Sequence, residues 1–175
     1  VSDVSSDNAG TIELWVNFVS GISGDSANIF TVSKGDSTNY VQVNIQFLDK
    51  LRFVLDIGGG IVTTKITINT YNNAWHHLAI TCNGLTTKLY VDGTEPSLSS
   101  NTDTGNWFND LSGLAYARIG GIRYSGAEKS FNGLIDDVRI YNYARTAEQI
   151  YNDYKTTHGT LVGDTKFVDG KIGKA

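Results

Sequence analysis

Apolar and polar residues alternate along most of the chain. In TIELWVNF, residues 11–18, Ile12, Leu14, Val16 and Phe18 fall on one side of an extended strand and Glu13, Trp15 and Asn17 on the other. YVQVNIQF repeats the scheme through Val41, Val43, Ile45 and Phe47, with Gln42, Asn44 and Gln46 between them. LRFVLDI does the same through Leu51, Phe53, Leu55 and Ile57. Each such strand is expected to bury one side and wet the other, as antiparallel sheets stacked in a sandwich require. HLAITCNGLTTKLYVDG reads as a hairpin: Asn83 and Gly84 tolerate positive φ at its turn, and Asp92-Gly93 repeats the signal after the second strand. LAYARIGG and FNGLIDDVRIYN are further short strand-like runs bounded by Gly and Asn. One helix interrupts this pattern. Thr146 opens TAEQIYNDY with Gln149 three residues on, a capping box, and Ala147, Ile150, Tyr151 and Tyr154 share one helical stripe. The expected fold is all-β, an antiparallel β-sandwich with one short helix near the C-terminus.

Composition narrows the partners. A chain of 175 residues can bury one core without metal or disulfide. With 14 basic against 18 acidic residues and no basic run, nucleic acid and anionic membrane are poor partners. No apolar stretch approaches the roughly 20 residues needed to span a bilayer. The single Cys82, inside LAITC, is expected to pack as a small apolar group. There is no Met, initiator included, so the chain reads as a processed form or a piece of a longer one.

Three stretches together resemble the laminin-G-like jelly-roll domains of the concanavalin A-like lectin/glucanase superfamily: TIELWVNF, NNAWHHLAITCNGLTTKLYVDGTE and FNGLIDDVRIYNYARTAEQIYNDY. The third is the most specific, and the likeness covers most of residues 9–154, with a divergent patch between Glu95 and Ala115. The resemblance implies a jelly-roll sandwich, usually extracellular and used for binding or adhesion, with residues 1–158 as the domain. It names no ligand. The resemblance also implies a calcium ion as a candidate cofactor, though none is required; Asp25, Asp36, Asp103 and Asp110 stand in apparent loops without a spacing that links them.

The tail, GTLVGDTKFVDGKIGKA, is similar to the way such domains begin, whereas residue 1 starts near the place of their second strand. Read this way, the chain is one period of the domain out of phase. Residues 159–175 are expected to complete either their own sandwich or a neighbour's, through Phe167, Val168 and Ile172, each worth about 1.5–3 kcal/mol on full burial. Donation to a neighbour would make a structural subunit assembling head to tail into a ring or filament.

Catalytic chemistry is hard to find. A glycosidase needs two carboxylates roughly 5–9.5 Å apart across the scissile bond, and Glu13, Glu95, Glu128 and Glu148 form no run that would supply them. Asp136 and Asp137 are neighbours and point oppositely on a regular strand; turn hydrogen bonds and Arg139 are their expected partners. His76 and His77 cannot easily share a metal ion for the same reason, and one is expected to pack with Trp75. His158 carries no pattern. Sugar binding calls for an aromatic platform with amide or charged groups on rim loops; Asn106, Trp107, Arg123 and Tyr124 are the candidates. The sequence therefore points to a non-catalytic extracellular protein that assembles with itself, or to a carbohydrate-binding or adhesion module whose partner is a glycan or a surface protein.

Overall fold

The structure, a computed structural model, describes residues 5–21, 27–35, 38–124 and 127–157, with the backbone alone at residues 123, 124 and 127–129. Twelve strands and one α-helix occupy the described chain: β1 Gly10–Phe18, β2 Asn28–Ser33, β3 Tyr40–Gln46, β4 Lys50–Ile57, β5 Gly60–Thr67, β6 Trp75–Cys82, β7 Thr87–Val91, β8 Leu98–Thr102, β9 Tyr116–Ile119, β10 Gly121–Tyr124, β11 Ala127–Ser130, β12 Gly133–Tyr141 and α1 Ala147–Thr157. They build a four-stranded sheet, β12-β1-β6-β7, a six-stranded sheet, β8-β5-β4-β3-β2-β9, and a two-stranded ribbon of β10 and β11. Every pairing is antiparallel. The two large sheets stack into a jelly-roll sandwich with a short C-terminal helix.

The alternation defines the core. Ile12, Leu14, Val16 and Phe18 of β1 meet Val41, Val43 and Ile45 of β3 and Leu51, Phe53 and Leu55 of β4 in one continuous buried cluster. Cys82 belongs to it, fully buried, and burial pushes its thiol pKa up. The β6–β7 turn forms at the expected place, where the Asn83 carboxamide oxygen accepts from the backbone N–H of Leu85 and Thr86. The capping box of α1 is present as well: Thr146 N–H donates to Gln149 Oε1 at 2.9 Å, and Gln149 N–H donates to Thr146 Oγ1 at 3.2 Å.

Two expectations fail. Phe47 does not continue β3. The chain turns there through a 3-10 segment in which Leu48 and Asp49 both take left-handed φ, 65° and 57°, leaving Phe47 and Leu48 exposed. The turn is held by the Asp49 carboxylate, which accepts from Ser20 Oγ at 2.8 Å, Asn72 Nδ2 at 2.7 Å and Gly21 N–H at 3.1 Å. Burial alone would raise this carboxyl's pKa, but the three donors hold it below the usual range. The strands, moreover, do not each wet one side. Glu13 and Trp15 on the far side of β1, and Gln42 and Asn44 on the far side of β3, are all buried.

Candidate functional site

The outer faces of the two sheets meet different surroundings. On the four-stranded sheet α1 lies across the strands. Tyr154 stacks on Trp15 at 5.9 Å between ring centroids, Trp15 Nε1 donates to Thr157 Oγ1 at 2.8 Å, and Ile150 packs with Ala79 and Tyr90. Beneath the helix lies a charge cluster that strand alternation does not reveal. Arg145 Nε sits 3.2 Å from Glu13 Oε1, and Arg145 NH2 sits 2.7 Å from Asp153 Oδ2. Arg139 reaches the same Asp153 oxygen at 3.6 Å and pairs with Asp137 at 2.6 Å. Burial pushes the Glu13 carboxyl up to about 7, with Arg145 opposing and Asp153 reinforcing the shift. His77, buried beside Trp15 at 5.2 Å, is pushed down to about 4 by the same loss of solvent. Glu13 and Asp153 form the carboxylate pair that no local run announced. It is closed off by α1 and bound to Arg145, so it cannot flank a sugar.

The six-stranded sheet has no helix over its outer face among the described residues. Register carries one row across all six strands: Thr102, Thr64, Val54, Gln42, Thr31 and Arg118. A parallel row on one side contains Asn44, Arg52, Ile66 and Ser100. On the other side lie Tyr116, Ser33, Tyr40 and Asp56. The floor is almost closed to water, with Val54 0% exposed and Thr31 2%, while Tyr116 at the margin is 38% exposed. Asn44 Nδ2 donates to Gln42 Oε1 at 3.2 Å. Thr31 Oγ1, Asn44 Oδ1, Arg52 Nε and Thr64 Oγ1 are buried without a hydrogen-bond partner among the described residues. A sheet face of hydroxyl, amide and guanidinium groups with aromatic margins carries the donors and acceptors a polyhydroxylated ligand needs.

A recess of about 290 Å³ opens at the sandwich edge between β7 and β8, lined in part by Lys65, Lys88, Glu95 and Asp103. Its groups are largely engaged with one another. Lys65 Nζ lies 3.0 Å from Asp103 Oδ2, and Lys88 Nζ donates to Glu95 Oε1 at 2.7 Å. Asp103 also accepts from Thr87 N–H and Gly105 N–H, and these donors with Lys65 outweigh burial and hold its carboxyl below the usual range.

Trp107 is not at a rim. It is 1% exposed and packs inside, 6.0 Å from Phe53 and 5.1 Å from Phe108. Gly10 makes room for it, since a Cβ there would collide with Trp107 Nε1. Asn106 accepts from Thr104 Oγ1 and serves the same loop. Asp110 caps this turn through Trp107 N–H at 2.9 Å. The Arg123 and Tyr124 side chains, Asp25, Asp36, His158 and the tail residues Phe167, Val168 and Ile172 lie outside what the structure describes. Among the described residues no three His, Cys, Asp or Glu side chains converge as a metal site would require. Asp137 pairs with Arg139, as expected, and His76 lies 2.8 Å from Asp92; Trp75, expected to pack, is instead 38% exposed. The polar floor went unrecognised because its members are ordinary strand residues, brought into line only by register.

The two stacked antiparallel sheets define a lectin-like jelly-roll fold. A laminin-G family model, described as the concanavalin A-like lectin/glucanases superfamily, matches residues 1–151, and the chain belongs to this family. Among curated proteins nothing matches it. The CBM40 module of Ruminococcus gnavus IT-sialidase, solved with α2,3-sialyllactose, superposes with a TM-score of 0.71 at 16% identity, over 86% of this chain and 85% of that one. Domain 4 of AbnA, a GH43 extracellular arabinanase from Geobacillus stearothermophilus, solved with arabinotriose, gives 0.61 at 22% identity, over 84% and 66%. The native heptameric SAP-like pentraxin of Limulus polyphemus gives 0.59 at 14%, over 85% and 70%. At these identities the likeness is one of fold.

Proposed function

We propose that this protein is a non-catalytic, extracellular carbohydrate-binding module, with a saccharide lying on the outer face of the six-stranded sheet. The observation that carries the reading is the set of buried, unpartnered atoms on that face: Thr31 Oγ1, Asn44 Oδ1, Arg52 Nε and Thr64 Oγ1. A buried polar group left without a partner costs about 1–3 kcal/mol. Each of these atoms is closed to water, so its side chain must turn outward before a sugar hydroxyl, which both donates and accepts, can relieve it. Tyr40 and Tyr116 flank the floor and offer aromatic surface to sugar C–H groups. Arg52 and Arg118 add positive charge for an acidic sugar. The similar folds solved with sialyllactose and arabinotriose support a saccharide as the ligand class.

The test is titration calorimetry with sialyllactose and arabinotriose as probes, beside a glycan array. Binding that Gln42→Ala and Arg52→Ala each weaken at least tenfold, with the melting temperature kept within a few degrees, supports the assignment. Binding that survives both variants and is lost in Lys88→Ala moves the site to the edge recess. No binding of any glycan at millimolar concentration overturns the reading. Head-to-tail assembly through residues 159–175 has a separate test in native mass: a polydisperse or filamentous chain that becomes monomeric when cut after Thr157 would establish an architectural role.

A further inference from the structure

The sandwich is open along one side. The recess between β7 and β8 marks the side where these two edge strands meet, so β12 and β9, at the opposite ends of the two sheets, flank the other side. There the ribbon of β10 and β11, with Ile122 and Phe131, covers only part of the core-facing edge. Ile140 pairs with Ile12 and shares its inward side, yet Ile12 is 0% exposed and Ile140 is 42%. Ile119 pairs with Phe30 in the same way and is 60% exposed against 2%. Ile135 and Val138 pack against the core but remain half-buried. Leu134, on the outward side of β12 beside Asn17, is 60% exposed. Among the described residues no strand pairs with the free edge of β12. An apolar, core-facing edge of this kind is a template for an added strand. One feature restricts it: Asp137, at φ 50°, forms with Val138 a bulge opposite Leu14, which splits the edge into the stretches 133–136 and 138–141.

We infer that this open side is a strand-acceptor site and that the chain's own residues 165–172 fill it, lying beside β12. Three observations select that occupant. Helix α1 delivers the chain to the place, since Thr157 accepts from Trp15 Nε1 at 2.8 Å and Trp15 pairs with Asp136 of β12. The seven residues 158–164 span up to about 25 Å when extended, several times the roughly 4.8 Å between adjacent strands. In an extended TKFVDGKI, Val168, Gly170 and Ile172 share one side and Phe167 takes the other. Set parallel to β12, this pattern puts Val168 beside Ile135 and, past the bulge, Ile172 beside Ile140 on the core side, with Phe167 beside Leu134 on the outer side. A tether this short holds the strand at an effective concentration on the order of millimolar, which favours closure within one chain over exchange between chains.

The experiment is hydrogen–deuterium exchange on the full chain, on full-length Val168→Asp/Ile172→Asp, and on a chain ending at Thr157, together with oxidation of full-length Ile140→Cys/Ile172→Cys. Self-closure predicts that amides of residues 133–141 exchange at least tenfold faster in both altered chains while those of β6 are unchanged. It also predicts an intrachain disulfide in a monomer. Equal β12 exchange in all three chains overturns the inference. So does a disulfide that forms only between chains, which would make the occupant a second copy. Neither result bears on glycan binding at the six-stranded face, so the two proposals fail separately.

Discussion

The two outer faces of the sandwich are built from similar-looking alternation and end in opposite chemistry. On the four-stranded sheet the outward residues Glu13, Trp15 and His77 are sealed by α1, and the charges beneath it are paired with Arg145 and Arg139. On the six-stranded sheet the outward residues are mostly hydroxyls and amides, with Val54, Arg52 and Asp56 among them, and several atoms lack a hydrogen-bond partner among the described residues. The charges under the helix are ion-paired although Glu13 and His77 keep buried atoms without a hydrogen bond among the described residues, and breaking such a pair is costly. Unsatisfied polar groups on a sheet face cost stability. On the proposed function, stability and recognition are divided between the faces.

The sharpest way to break this division is to remove Arg145. Arg145→Ala leaves Glu13 and Asp153 facing each other without their cation, and the expected loss is about 3–5 kcal/mol in urea denaturation at neutral pH. A loss under 1 kcal/mol would mean that the cluster does not hold α1.

The next effect is one of pH. Glu13 has its folded-state pKa raised to about 7 from 4.5, so the folded form keeps a proton the unfolded chain has lost, and its contribution is present at low pH and fades as pH rises from about 4.5 to 7. His77 is lowered to about 4 from 6.5, so the unfolded chain gains a proton the folded form refuses, and stability falls as pH drops from about 6.5 to 4. The two slopes oppose each other across the shared window and keep the native protein nearly flat there. Glu13→Gln should unmask the histidine, with a decline on the order of 2 kcal/mol between pH 6.5 and 4.5; a profile as flat as the native one would refute the compensation.

A smaller effect is expected at the hinge of the helix contact: Thr157→Val removes the acceptor of Trp15 Nε1 and should cost about 1 kcal/mol in thermal melts, with glycan affinity unchanged. The smallest stability change, and the most telling, belongs to the other face. Thr31→Val replaces an unpartnered hydroxyl by a methyl of similar shape, so stability should hold or rise by up to about 1 kcal/mol while saccharide affinity falls. Loss of both together would return Thr31 to a purely structural role.

Much of this was legible before any coordinates. Ile12 to Phe18, Val41 to Ile45 and Leu51 to Ile57 announce their own strands and the face each buries, because period-two alternation is a local signal. The Thr146–Gln149 cap is local too. What alternation could not show is what stands over the second face. That Glu13 and Trp15 are covered depends on where a helix more than 130 residues later comes to rest. Phe47 left its strand because Asp49 is drawn to Ser20 and Asn72, partners 29 and 23 residues away. Trp107 looked like a rim aromatic because a loop tryptophan flanked by Asn resembles one; the space that admits it lies at Gly10, in another strand. Thr31, Gln42 and Thr64 are unremarkable in their own segments and acquire meaning only when register aligns them.

That alignment bears on how such a surface is inherited and engineered. The central row draws one residue from each of six strands, at positions 102, 64, 54, 42, 31 and 118. No peptide cut from the chain can carry it, and no insertion confined to a loop displaces it. Each member can be exchanged alone, its strand neighbours pointing the other way, so specificity can drift one side chain at a time while the core sequence stays fixed. Loss of recognition on heating should then coincide with loss of the whole sheet, because no smaller unit holds the row together.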